Sequence, residues 1–110
     1  MVDKQSRFAE CVATLIFWAT DRGYQVTFGE AYRPPETAAL YAAQGRGIAN
    51  SNHTRRLAVD LNLFKDGAFL TSSEDYKALG EYWESLDPNA RWGGRFNDGN
   101  HFSFEHNGVK

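Results

Sequence analysis

Cys11 is the only cysteine in the 110-residue sequence, so no internal disulfide can form and any stapling must come from packing or a metal. An excess of charge is also missing. Twelve Lys and Arg stand against 14 Asp and Glu, a formal net charge of −2. The one basic pair, Arg55-Arg56, is too short to make a patch, and nucleic-acid binding calls for a basic stripe, so no such partner is expected. Long hydrophobic runs are absent as well. The first apolar stretch is interrupted by Glu10, Thr14 and Asp21 and leads to no small-residue cleavage site. Neither a signal peptide nor a membrane span is therefore read, and the expectation is a chain made in the cytoplasm whose work outside it needs a separate export route. No internal repeat, linker or low-complexity stretch is found.

What is present suits one soluble domain spanning residues 1–110. A chain of this length buries about two-thirds of its unfolded surface, enough for one core. Eight Phe, five Tyr and three Trp supply that core with few residues. Monomer is the default for such a domain.

Phe8, Val12, Leu15, Ile16 and Ala19 fall at helical spacing and predict a first helix over about residues 6 to 21. Tyr24, Val26 and Phe28 alternate with Gln25 and Thr27, a short strand with one buried face. Pro34-Pro35 opens a second helix that runs to Gln44, and residues 45–52 are loop. In Leu57–Phe64 the residues Leu57, Val59, Leu61 and Leu63 share one face, and Ala58, Asp60 and Asn62 the other. Asp66-Gly67 reverses the chain into Phe69-Leu70. Ser72 or Ser73 caps a third helix with Tyr76, Leu79, Trp83 and Leu86 on its core face, which Pro88 stops. After the turn Asn97-Asp98-Gly99-Asn100, a last strand runs from His101 to Glu105. The class is α+β, with about three helices on a small, mainly antiparallel sheet.

Two of these strands carry polar groups that a purely structural strand has no use for. Asp60 lies in the middle of an apolar strand, which is costly unless a cation or several donors satisfy it. The plain alternative is an edge strand with one wet face. His53 ends the glycine-rich loop, and His101 heads the last strand on the face opposite its two phenylalanines. Two imidazoles and a carboxylate suit zinc and leave a fourth position for water. The same ligands also fit non-haem iron, so ligand type does not settle the metal. His106 is left out as an exposed tail residue.

The stretch Ser51-Asn52-His53-Thr54-Arg55-Arg56-Leu57-Ala58-Val59-Asp60 resembles the Ser-x-His…Ala-x-Asp signature of the M15 zinc peptidases, the D-alanyl-D-alanine and L-alanyl-D-glutamate peptidase group. Asp98-Gly99-Asn100-His101 is similar to that family's later acid-x-x-His element. Gly29-Glu30-Ala31-Tyr32-Arg33 and Trp92-Gly93-Gly94 extend the likeness over residues 8 to 105. Small members without a signal peptide include phage endolysins that cut the peptidoglycan stem peptide, and this chain looks most like those. Arg56 is a departure, since many members have Gly there.

The resemblance implies one Zn²⁺ held by His53, Asp60 and His101, with the pKa of a bound water brought from about 16 towards 7. It implies Asp98 as general base, a residue that also has turn chemistry of its own. Arg33 resembles the family arginine that meets a substrate carbonyl or carboxylate, or it is a surface arginine before a helix. Ser51 is a candidate substrate contact or a loop closer, and Trp92 a candidate cleft residue or core. Gln44 and Arg46 are possible rim residues. The resulting expectation is a hydrolase of peptidoglycan peptides: an L-alanyl-D-glutamate endopeptidase first, a D,D-carboxypeptidase or dipeptidase second. A non-catalytic zinc-containing wall-binding module and a metal-free interaction domain are the competing classes.

Overall fold

Phe8, Cys11, Leu15 and Ala19 form the buried stripe of helix α1, which spans Val2–Asp21 in the computed structural model of all 110 residues. Strand β1 follows at Gln25–Phe28 and helix α2 at Pro35–Ala43. Next come β2 (Ala58–Lys65), β3 (Ala68–Phe69), helix α3 (Lys77–Leu86), β4 (Ala90–Trp92) and β5 (His101–Phe104). The strands pair antiparallel throughout in the order β1-β2-β5-β4, with β3 on the far end of β2. Short 3-10 turns at Asn52–Arg55, Ser73–Tyr76 and Gly93–Phe96 join them. The fold is α+β, as the alternation of residues implies.

The alternation in β2 divides the sheet into two unlike faces. Leu57, Leu61 and Leu63 are wholly buried and point with Phe102 and Phe104 of β5 toward α1 and α3. Each such side chain contributes about 1.5–3 kcal/mol on burial. Phe8 meets Trp83 and Phe104 edge-on, at 5.5 and 5.2 Å between ring centres. Trp83 of α3 bolts the helix to the sheet: its Nε1 donates to the main-chain oxygens of Arg91 (3.0 Å) and Ser103 (3.1 Å). Asp60, His101 and Ser103 lie on the opposite face.

Three local expectations shift. Phe28 lies on the core-facing side opposite Leu61 but is 66% exposed, because β1 is the sheet's outer strand and nothing covers its edge. Ser72 caps the 3-10 turn ahead of the third helix, in a capping box with Asp75, so α3 proper begins at Lys77. Strand β4, too short for an alternation signal, emerges because Ala90, Arg91 and Trp92 find β5.

Trp92 is packed between two glycines. A Cβ on Gly80 of α3 would lie 2.0 Å from its Cδ2, and one on Gly94 would lie 2.1 Å from its Cζ2. The trapped indole donates from Nε1 to the main-chain oxygen of Gly99 at 2.7 Å, which ties the helix to the turn ahead of β5. Gly80→Ala is expected to push the indole out and destabilise the protein by about 2–3 kcal/mol, as overpacking of a filled core does. Denaturant unfolding measures this, with loss of Trp92 burial visible in its emission.

Candidate metal centre

Register brings the first two candidates together. In the β2–β5 ladder Asp60 stands directly opposite His101, and Ala58 opposite Ser103, so their side chains share the face away from the core. His53 arrives from the 3-10 turn Asn52–Arg55. Ser51 caps that turn: its Oγ accepts from the His53 amide at 3.2 Å, and its main-chain oxygen accepts from Thr54 Oγ1 at 2.6 Å. The turn closes on Arg56 with φ 56°, in the left-handed region. That explains why glycine suits this position in similar chains. Arginine tolerates it at about 1–2 kcal/mol, and its guanidinium lies over the Tyr32 ring at 4.0 Å.

His53 Nε2 is 3.4 Å from Asp60 Oδ1, and His101 Nδ1 is 3.3 Å from the same oxygen. One donor atom from each residue falls within 4.8 Å of the others. Both imidazoles are buried, whereas the Asp60 side chain keeps 24% of its exposure. Each ring is backed by a main-chain oxygen on its far nitrogen. Ala31 O is 2.8 Å from His53 Nδ1, and Lys110 O is 3.0 Å from His101 Nε2. A carbonyl oxygen can only accept, so those nitrogens carry hydrogen and leave His53 Nε2 and His101 Nδ1 to offer lone pairs.

With no metal between them the same two nitrogens can instead carry protons: burial would raise the carboxyl of Asp60, but hydrogen bonds from the protonated imidazoles override it and hold the group at about 2. Burial likewise works against charging His53, yet its bonds to Asp60 and Ala31 O raise its pKa. The three residues stabilise negative charge on the oxygen and positive charge at the nitrogens, which is the environment a cation would take over. Two imidazole nitrogens and a carboxylate, backed by carbonyls and open on one side, fit a mononuclear zinc site.

The open side is a cavity of about 470 Å³ whose lining includes Arg33, Ser51, His53, Asp60, Asp98 and His101. Asp98 is delivered by the turn before β5. Its amide donates to Gly93 O at 2.8 Å, and its own main-chain oxygen accepts from the His101 amide at 3.1 Å. A Cβ on Gly93 would lie 2.2 Å from that oxygen, so the turn seats against bare backbone. Burial raises the carboxyl pKa of Asp98, with the charges of His101 and His53 pulling it down and Asp60 adding to the rise. Asp98 also lines a second cavity, of about 540 Å³, with Asn62, Thr71, Ser73 and Asn100. That cavity is larger and almost free of charge. The metal-type donors lie only in the first.

Arg33 reaches the cavity wall, but in an ion pair with Glu30. Its Nε donates to Glu30 Oε1 at 2.7 Å, and Nη2 also pairs with that oxygen. Its amide donates to His53 O at 3.1 Å. Arg46 lines the same wall, and Gln44 lies outside it. Trp92 departs from the cleft expectation: it is 4% exposed, held in the glycine sandwich, and lines neither cavity at Asp98. Its contact with the site is indirect, through Gly99. Sequence reasoning missed Glu30, whose main-chain oxygen also accepts from the Asp60 amide at 2.8 Å. The signal was its three-residue spacing from Arg33, unremarkable outside a helix. It also missed Asn52 and Ser103, buried polar residues that look like turn and strand filler in the sequence.

A nitrogen–oxygen–nitrogen triangle with both imidazoles buried, facing a cleft that Asp98 also lines, is an arrangement that could hold a single metal ion. The sequence model of M15 peptidases described as D-alanyl-D-alanine carboxypeptidase matches residues 44–104, more than half of the chain and the span that carries His53, Asp60, Asp98 and His101. The chain belongs to the M15 peptidase family. No curated protein matches it.

Replacing His53, Asp60 or His101 singly with Ala is expected to abolish stoichiometric metal uptake while leaving the helical circular dichroism intact. Metal analysis after dialysis checks it; full occupancy in all three variants would overturn the ligand set. In chelator-treated protein Asp60 has a folded-state pKa below its unfolded one, near 3.9. The stability it contributes is therefore complete above about pH 4 and lost as pH falls through about 2. The difference in melting temperature between the unmodified protein and Asp60→Asn should shrink over that window, and a constant difference would contradict the assignment.

Proposed function

We propose that this chain is a zinc peptidase that cuts peptidoglycan stem peptides, at the bond between L-alanine and D-glutamate, in the manner of a phage endolysin. One observation carries the reading: the three metal-type donors and Asp98 line one cleft, and Asp98 also lines a second cavity. An internal peptide bond needs room on both sides of the reacting carbonyl. A terminal bond needs it on one.

His53 Nε2, an Asp60 oxygen and His101 Nδ1 would hold the zinc, which when bound would supply a Lewis acid and lower the pKa of water. Asp98 takes the proton of the attacking water and returns it to the leaving amine. Partial desolvation raises its carboxyl pKa, the direction that suits a proton acceptor. Arg33, fixed by Glu30 along one edge, keeps Nη1 for a substrate oxygen, and Ser51 lines the same wall. Arg46 on the same wall adds positive charge, which suits the α-carboxylate of D-glutamate. Trp92 supports the Asp98 turn. Residues 1–110 serve as one catalytic domain, and the enzyme works as a monomer.

The second reading is a D,D-carboxypeptidase. The family description names that activity, and the cationic wall would equally clamp a terminal carboxylate. Digestion of purified peptidoglycan with and without a chelator separates the two by mass spectrometry of the released ends. Chelator-sensitive appearance of L-alanine and D-glutamate ends supports the endopeptidase, and loss of terminal D-alanine supports the carboxypeptidase. No release by a zinc-loaded chain sinks both. Asp98→Asn is expected to lower the rate by about 10²–10⁴-fold, the usual worth of a positioned base, while keeping its metal.

A further inference from the structure

Beyond β5 the chain folds back on the site. His106 and Val109 exchange main-chain hydrogen bonds, each 2.9 Å long, across Asn107 (φ 51°) and Gly108 (φ 80°). This is a two-residue turn of the mirror-image type that Asn-Gly favours. Three side chains or rings then grip the returning strand. Asn52 Nδ2 donates to Val109 O at 2.7 Å and to Phe104 O at 3.0 Å. Ser103 Oγ donates to Lys110 O at 3.1 Å, and His101 Nε2 meets that same oxygen at 3.0 Å.

We infer that residues 106–110 are a positioning element of the metal centre: the Asn107-Gly108 turn holds the main-chain oxygen of Lys110 on His101 Nε2, so that Nδ1 faces Asp60 as the ligand nitrogen. The inference rests on the metal-peptidase reading and adds to it a part that lies beyond residues 44–104, outside the family match.

Three observations carry it. Lys110 O is the acceptor that His101 Nε2 finds in the structure, just as Ala31 O is for His53 Nδ1. Outer partners of this kind fix the tautomer and aim of a ligating imidazole. Ser103 is wholly buried on the same face as His101, and Lys110 O is where its hydroxyl donates. A buried hydroxyl without that acceptor would be left unpaired. Asn52, 1% exposed, sits next to His53 in the 3-10 turn. One amide thus ties the tail behind one imidazole to the turn that carries the other.

The test is zinc affinity of the full chain, by competition with a chromophoric chelator, for the unmodified protein, Gly108→Val, Gly108→Asn and Ser103→Ala. No atom lies within 4 Å of a Cβ built at Gly108, so Val there reports backbone conformation and not a clash. Valine resists positive φ and asparagine accepts it. Gly108→Val should weaken zinc binding by about 10–100-fold, Ser103→Ala by a smaller factor, and Gly108→Asn by less than about threefold. In the zinc-loaded unmodified protein the His101 Nε2 proton should exchange slowly by NMR, and in Gly108→Val it should be lost to exchange. Equal affinity in Gly108→Val and the unmodified chain overturns the inference. If Gly108→Val fails to fold, Ser103→Ala decides alone, and unchanged affinity there overturns it. An unmodified chain that takes up no zinc overturns the metal reading itself and the inference with it.

Discussion

Asp60 and His101 face each other across one antiparallel pair, and the register of that pair settles both halves of the molecule at once. With Asp60 opposite His101, the odd-numbered apolar residues of β2 and both phenylalanines of β5 must point to the helices. A slip of one residue would send Phe102 to the cleft and a histidine into the core. The hydrophobic energy that holds α1 and α3 against the sheet therefore also holds two metal-type donors on its other face. Trp83 reinforces the arrangement by fastening α3 to the main chain of β4 and β5.

Electrostatics then selects what the donors can do. A carboxylate between two imidazoles, with a second acid a short distance away, would be an unstable collection of charges without separation of roles. Asp60 is pulled down by hydrogen bonds from both rings, and Asp98, which lacks such bonds to offset its partial desolvation, is pushed up. Two acids in one cleft thus have their proton affinities shifted in opposite directions.

Much of this was legible in the sequence because it depends on alternation and spacing. The face of Asp60 follows from the period of two in Leu57–Leu63, and that of His101 from Phe102 and Phe104. The Asp66-Gly67 turn and the stop at Pro88 are local signals and fall where expected, and the capping serine is used one turn earlier than expected. What stayed hidden depends on pairing between distant segments. Strand β4 has three residues and no pattern of its own. Trp92 reads as a cleft aromatic until Gly80, twelve positions earlier, is seen to hollow out a slot for it. The Asn107-Gly108 turn has no alternating strand on either side, so nothing in the sequence connects it to a histidine on β5. Glu30 likewise matters through Arg33 and through its backbone contact with β2, neither visible in a one-dimensional reading.

The two-faced sheet also bears on how such a protein can diverge. The donors on β2 and β5 are locked to the core by register, but the walls of the two cavities also draw on residues 46–48, Ser51 and 70–73, which lie outside the sheet in loops or short turns. Substitutions there change what is recognised without touching the packing that keeps the donors in place. Selection can therefore act on the cavity walls and on folding almost independently, which lets a small scaffold drift in what it recognises while the donors stay put.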